Sequence, residues 1–190
     1  MSISRLPVPD PQELPVELQE LFVTAQTKIG FLPNVLSIFS LRPTHLLAWK
    51  NHYDLIMKGE SSLSLAQREM IAVTVSSLNR CFYCSTTHPA FLRLELKKEN
   101  RDPNLAAELQ FAPLEADVTP AERAMLELAI KITLESHHVT EADLERLREH
   151  GFDDQAIFDI AEIAAMFNLT NRLINALGGK PNAEYHAMGR

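Results

Sequence analysis

Both cysteines of the chain, Cys81 and Cys84, lie in the short segment "RCFYCSTTHP" at residues 80–89, and His88 follows four residues later. Two thiols this close together suit a redox couple or part of a metal site, because the thiolate is both the nucleophile and the metal ligand. In a helix of 3.6 residues per turn, the three side chains lie along one stripe. These residue types and their spacing predict thiol chemistry at the start of a helix.

The beginning of that helix, near Cys81, favours the reactive form of a thiol. Unpaired backbone N–H groups and the positive end of the helix dipole lower the pKa of a thiol in the first turn, and Arg80 acts in the same direction. The dipole favours Cys81 as the attacking thiol, whereas His88, one turn away, favours Cys84. The residues alone leave both assignments open.

Glu69 lies on the preceding predicted helix, Leu65–Leu78, and is a carboxylate among largely apolar residues. If the chain turns back directly after this helix, Glu69 and His88 are about equally far from the turn and become neighbours. Cys81 is too far away, since twelve helical residues span about 18 Å. We therefore expect Glu69 to orient His88, and His88 to serve as base or acid for Cys84.

Helix start and stop signals are frequent along the whole chain, and strand signals are nearly absent. Ser64 with Gln67, and Thr119 with Glu122, have the spacing of capping boxes. The fold class is therefore predicted to be all-α, with seven or eight helices. The expected helices are Glu17–Lys28, one restarting at Pro33, Thr44–Lys58, Leu65–Leu78, Cys81–Lys98, Pro120–Glu135, one ended by Gly151, and Asp154–Leu177.

Residues 1–190 are predicted to form a single helical domain. Four prolines within residues 1–15 favour an extended N-terminal arm, laid over the surface or over a neighbour. The short polar tail, residues 180–190, is predicted to dock on another subunit.

The last predicted helix carries a polar stripe on an otherwise apolar sequence, formed by Asn168, Asn171, Arg172 and Asn175. A solvated face and a hydrogen-bonded subunit contact both explain this spacing. Trp49 and His52, on the predicted helix Thr44–Lys58, are interpreted as core residues or as lining of an active site.

Composition excludes several classes of function. The net charge is −7, which disfavours nucleic-acid binding, because that needs clustered Lys and Arg. No apolar run reaches the ~18 residues of a membrane helix, and residues 1–15 lack a signal-peptide pattern. We expect a cytoplasmic protein with no membrane partner, in which a Cys-x-x-Cys pair is catalytic or metal-binding.

The spacing of Glu69, Cys81, Cys84 and His88 resembles the E-x11-C-x2-C-x3-H signature of AhpD-like alkylhydroperoxidases, in the carboxymuconolactone decarboxylase superfamily. The segments "GFLPNVLSIFSLRP", "LSLAQREMIAVTVSSLNRCFYC" and "GFDDQAIFDIAEIAAMFNLTNR" are similar to the peroxidase-related branch. The resemblance covers the chain from about residue 29 to residue 177.

This resemblance implies an AhpD-like helical fold with a redox-active hairpin, assembled as a dimer, trimer or hexamer. It implies a thiol peroxidase in which Glu69 and His88 relay a proton from Cys84, Cys84 attacks the hydroperoxide, and Cys81 resolves the sulfenic acid as a disulfide. A lipoyl group or a thioredoxin-like protein would be the dithiol reductant, and no cofactor or metal is implied. The best-known members carry a histidine where this chain has Tyr83.

Three alternatives remain at the level of sequence. A lactone decarboxylase-like enzyme of the same fold would not need the two thiols. A non-enzymatic redox sensor would use the thiols without turnover. A zinc-stabilised interaction protein would need four ligands for a closed site, and the chain has no second Cys-x-x-Cys.

Overall fold

The computed structural model describes residues 2–190, which contain nine α-helices and no β-strand. The all-α prediction is confirmed. The nine helices are α1 (Val16–Ile29), α2 (Asn34–Phe39), α3 (Pro43–Lys58), α4 (Leu65–Leu78), α5 (Phe82–Lys98), α6 (Leu105–Phe111), α7 (Pro120–Glu135), α8 (Glu141–Glu149) and α9 (Asp154–Leu177).

Helix α4 is the centre of the fold and packs against α5, α6, α7 and α9. Ten of its fourteen residues are buried, so apolar side chains occupy all of its faces. It begins at the predicted capping box, in which the Ser64 hydroxyl accepts from the Gln67 N–H and the Gln67 side chain accepts from the Ser64 N–H. A helix this deeply buried fixes the position of every polar side chain on it, including Glu69.

Helix α6 was missed by the sequence-based prediction, which assigned a loop after α5. Asn104 is a residue type favoured before a helix, but it adopts a helical conformation and makes no side-chain capping bond, so the local signal for α6 is weak. The helix exists because Leu105, Ala106 and Leu109 are buried in the core. Burial of these side chains outweighs the weak local signal.

Both chain ends pack on the chain itself. The N–H of Arg5 donates to the carbonyl of Leu177 at 2.7 Å, and the predicted arm contains a short 3-10 helix, Pro11–Glu13. Met1 lies outside the described residues. In the tail, Tyr185 is 1% exposed, and Arg93 donates to the carbonyl of Met188. The tail thus packs on its own chain through Tyr185, and its docking on another subunit stays a prediction.

Candidate functional site: a dithiol beside an aromatic cavity

The turn between α4 and α5 places the first cysteine. Arg80 adopts the left-handed conformation, with φ of 51°, at the position where glycine usually ends a helix. The N–H of Arg80 donates to the carbonyl of Ser77, and the N–H of Cys81 donates to the carbonyl of Ser76 at 3.0 Å. This pair of bonds closes α4 and leaves Cys81 at the N-cap of α5.

The polar stripe of α9 holds this turn from the other side. Asn171 is fully buried; its side chain donates to the Ser76 hydroxyl at 3.1 Å and accepts from Asn79 at 3.0 Å. Asn168 also accepts from Asn79, and Asn175 donates to the Asn79 carbonyl. Asn168, Asn171 and Asn175 therefore form an intrachain network with the turn, while Arg172 and Asn175 remain exposed to solvent, and the subunit contact considered from the sequence stays a prediction. Only the tertiary structure brings α9 against the cysteine turn.

The two thiols are buried and free, and they influence each other strongly. The pKa of Cys81 lies below its usual value, chiefly because the Cys84 thiol donates a hydrogen bond to its sulfur; burial opposes this effect. The backbone N–H groups of Cys84 and Tyr83 also lower the pKa of Cys81, although the Cys81 side chain makes no hydrogen bond that caps α5. The pKa of Cys84 lies well above its usual value, because its proton is held by Cys81, and because burial and the Cys81 charge disfavour a second thiolate.

Glu69 and His88 meet across the α4–α5 hairpin as the sequence predicts. The Nδ1 atom of His88 lies 2.8 Å from Oε2 of Glu69, and the two side chains are 8% and 10% exposed. The edge-to-face packing of the His88 ring on Phe167, with centroids 4.6 Å apart, fixes the imidazole plane. The buried carboxylate thus has a polar partner, which removes most of the cost of burying it.

A cavity of about 400 Å³ opens beside these residues. Cys84, His88 and Glu69 line one side of it, whereas Cys81 does not reach it. The described residues include no hydrogen bond between His88 and Cys84, so the expected direct link between them is not made. A small molecule in the cavity can contact both side chains.

Aromatic side chains from several segments form part of the cavity wall, together with aliphatic side chains of α1 and α2. Trp49 and Tyr53 come from α3, Phe91 from α5, and Tyr185 from the tail. His52 points elsewhere, since it is exposed and pairs with Glu162 at 3.5 Å. The sequence proposed Trp49 as a lining residue, but no local pattern marks Tyr53 or Tyr185.

Tyr83, the residue between the cysteines, has a structural role in this chain. Its hydroxyl accepts from the N–H of Val35 at 3.0 Å and lies close to the hydroxyl of Tyr185. Burial and the nearby Tyr185 raise its pKa well above the usual value. Tyr83 therefore ties α5 to α2 next to the thiol pair.

Within residues 2–190, no group of three or more His, Cys, Asp or Glu side chains is placed to hold a metal ion. Among the same residues, no helix has the length and apolar character needed to cross a membrane.

The structure is an all-helical domain with a buried Cys-x-x-Cys pair beside a cavity. Comparison with known proteins identifies the family to which such a domain belongs. The model of the carboxymuconolactone decarboxylase family matches residues 43–100, which hold all four candidate site residues. Protein YdfG of Bacillus subtilis (strain 168) is 33% identical over 124 residues, which span 64% of this chain and 80% of YdfG.

Solved structures of other proteins have the same fold over the full length of this chain. A peroxidase-related protein with an alkylhydroperoxidase AhpD core from Ralstonia eutropha JMP134 is 42% identical and has a TM-score of 0.95, with 100% of this chain and 98% of that chain covered. A peroxidase-related protein from Silicibacter sp. TM1040 is also 42% identical, with a TM-score of 0.92 and 100% and 97% of the two chains covered. The debrominase Bmp8 shares the fold, with 20% identity, a TM-score of 0.75 and 98% and 95% of the two chains covered.

The chain belongs to the carboxymuconolactone decarboxylase family, in its AhpD-like, peroxidase-related branch. Both 42% identical neighbours are described as peroxidase-related proteins.

Proposed function

We propose that the protein is a thiol-dependent peroxidase that reduces organic hydroperoxides through a Cys81/Cys84 dithiol–disulfide cycle. The observation that carries this proposal is the shared cavity, which brings the buried Glu69–His88 pair and the Cys84 thiol to the same small volume. A nucleophile, a base and a residue that orients the base are the parts needed to activate a thiol.

Access to the cavity determines which cysteine attacks the hydroperoxide and which one resolves the product. Cys84 attacks the hydroperoxide, because it lines the cavity and Cys81 does not. When the pair loses its first proton, the negative charge lies mainly on Cys81. A proton shift from Cys84 to Cys81 along their hydrogen bond then moves this charge onto Cys84. The Cys84 sulfur then bonds to the terminal peroxide oxygen and the O–O bond breaks. The R–O oxygen takes up the proton that His88 accepted from the thiol pair and leaves as R–OH, and Cys84 becomes a sulfenic acid.

Cys81 completes the oxidative half of the cycle. Its sulfur attacks the Cys84 sulfenic acid, a disulfide forms, and water leaves. A dithiol of the lipoyl or thioredoxin-like class reduces the disulfide by thiol–disulfide exchange. Cys81 is fully buried and Cys84 is 2% exposed, so the exchange needs a reductant that enters through the cavity or a local opening of α5.

Two features support a single domain that assembles with further copies. Helix α9 contributes Phe167 to the larger core cluster and Ile174 to the smaller one, which contains both cysteines. One helix thus packs on both clusters, which favours a single domain over residues 2–190. The same helix exposes Phe158, Leu169 and Leu173, which are suited to a contact between helical faces of a homo-oligomer.

Thiol titration after addition of cumene hydroperoxide tests the function. The reduced protein should lose two thiols per chain, regain them with dihydrolipoamide, and turn over with both reagents present. Cys84→Ser should abolish turnover, whereas Cys81→Ser should stop after one equivalent of peroxide. If the hydroperoxide leaves both thiols of the folded wild-type protein intact, the peroxidase proposal is wrong.

A further inference from the structure

The hydroxyl of Tyr53 is a polar group of the cavity that the proposed relay does not use. Tyr53 lies on α3 and lines the cavity with Glu69, Cys84 and His88. Among the described residues, no hydrogen bond to this hydroxyl is formed. Tyr83 differs, because its hydroxyl accepts a hydrogen bond from the N–H of Val35.

The Tyr53 ring is held firmly in place. It stacks on the Trp49 indole, with centroids 5.4 Å apart and an interplanar angle of 27°. The indole N–H donates to the hydroxyl of Thr170 at 3.1 Å, and the edge of Phe39 packs against the indole at 4.8 Å. A donor on a fixed ring loses little freedom when it binds a ligand.

The surroundings keep this hydroxyl in its donating form. Burial raises the pKa of Tyr53 well above its usual value, and the negative charge of Glu69 raises it further, with a smaller effect from the side of Cys84. Negative charge on Glu69 and on Cys84 thus acts on the Tyr53 hydroxyl. A neutral phenol in an apolar cavity is available to an oxygen atom that gains charge there.

We propose that Tyr53 is a further catalytic residue, whose hydroxyl donates a hydrogen bond to the oxygen that leaves when Cys84 attacks a hydroperoxide. The inference rests on the proposed peroxidase function. The Cys84 thiolate bonds to the terminal oxygen of R–O–O–H, the O–O electron pair moves to the R–O oxygen, and the OH group stays on sulfur. The thiol proton taken up by His88 then neutralises the alkoxide, so the products are Cys84–SOH and R–OH.

The role of Tyr53 follows from the basicity of the leaving oxygen. An alkoxide is a strong base and a poor leaving group in an apolar cavity, so a fixed donor at this oxygen lowers the barrier. A carboxylate leaving group, as in a peroxy acid, spreads its charge and depends less on such a donor. Loss of the Tyr53 hydroxyl should therefore slow alkyl hydroperoxides more than peroxy acids.

Single-turnover kinetics of Tyr53→Phe test this inference. The prereduced protein is mixed with tert-butyl hydroperoxide or with peroxyacetic acid, and oxidation is followed by the fluorescence of Trp49, the single tryptophan. With tert-butyl hydroperoxide we expect a rate loss of about 100-fold, the order seen when one preorganised oxyanion donor is removed. With peroxyacetic acid the loss should be less than about 5-fold, because the leaving carboxylate needs the donor less.

Two further variants separate catalysis from structure. Tyr83→Phe removes a hydroxyl that is already bonded to the Val35 N–H, so any rate loss should be the same for both oxidants. Tyr53→His keeps a ring with a donor and should recover part of the rate with tert-butyl hydroperoxide. Alkylation of Cys84 by iodoacetamide, which needs no donor at a leaving oxygen, should be equally fast in the wild type and in Tyr53→Phe.

The outcomes distinguish this inference from the function on which it rests. A Tyr53→Phe variant that loses equal rate with both oxidants, or none, overturns the role of Tyr53 while the wild-type peroxidase activity stands. A slower reaction with iodoacetamide would assign Tyr53 to thiol activation or to packing, which also overturns the inference. A wild-type protein that reacts with neither oxidant overturns the peroxidase function and the inference together.

Discussion

The Glu69–His88 contact allows the relay to be tested with one conservative change, Glu69→Gln. The carboxylate and the imidazole are 2.8 Å apart, and their side chains are 10% and 8% exposed. When His88 accepts the thiol proton, the pair becomes an ion pair whose Coulomb energy is about 6 kcal/mol at an effective dielectric constant of 20. Desolvation of the two ions offsets much of this, and net values for charge-assisted hydrogen bonds are about 1.5–3 kcal/mol.

A loss of about 2 kcal/mol of imidazolium stabilisation corresponds to about a 30-fold slower reaction, since each 1.36 kcal/mol is a factor of ten. The glutamine carbonyl still accepts from the Nδ1–H of a neutral imidazole, so the free energy of unfolding should fall by no more than about 1.5 kcal/mol. The assay is the rate of Cys84 oxidation by cumene hydroperoxide under single-turnover conditions, with urea unfolding measured on the same samples.

The chain offers a matched control in a second Glu–His pair. His52 and Glu162 are 3.5 Å apart, with side chains 48% and 32% exposed, and neither lines the cavity. Because exposed ion pairs contribute about 0–1 kcal/mol, Glu162→Gln should change the oxidation rate by less than about twofold. Equal rates for Glu69→Gln and the wild type, or equal losses in the two variants, would refute the relay.

Three further predictions concern the thiol pair, the acid stability and the cysteine turn. Cys84→Ala should raise the pKa of Cys81, because it removes the donated hydrogen bond that chiefly lowers this pKa. Cys81→Ala should lower the pKa of Cys84. Thiolate absorbance at 240 nm during a pH titration measures both values, and unchanged values would show that the thiols are not coupled. Burial raises the pKa of Glu122, but the hydrogen bond from Arg101 outweighs burial, and the net pKa is lowered. The pair therefore stabilises the fold above pH ~4.5, and this stabilisation is lost as the pH falls through the lowered pKa. Glu122→Gln should therefore cost about 2–4 kcal/mol at pH 7 and less at pH 3 in denaturant unfolding, and a pH-independent loss would contradict the linkage. Asn171→Leu should cost about 1–3 kcal/mol by leaving its buried partners unpaired and should slow thiol oxidation, whereas a variant with wild-type thiol kinetics would show that the network does not support the site.

The local parts of the site followed from the sequence. The capping box at Ser64 and the approach of Glu69 to His88 depend only on helix geometry and on a short turn, so spacing was sufficient to predict them. Similar local signals predicted α7 and α9 with the bounds that the structure has. In each case the interacting residues belong to one helix or to two consecutive helices.

The geometry around Cys84 was only partly predictable. The sequence placed His88 one helical turn from Cys84, but Nδ1 of His88 is bonded to Glu69 and no direct bond to Cys84 forms. Periodicity gives the face on which a side chain lies and not its rotamer, which here follows from the packing of the imidazole on Phe167.

The cavity and the support of the cysteine turn were decided only by the tertiary structure. Tyr53 and Tyr185 line the cavity from segments about 30 residues before and about 100 residues after Cys84, and the fully buried Asn171 comes from α9. No pattern within one sequence window contains such contacts, because they arise when separate helices bury their apolar faces against a common core. The sequence by itself therefore determined most of the helices, the dithiol and its nearest carboxylate–imidazole pair, whereas tertiary packing decided α6, which thiol faces the cavity and which tyrosines line it.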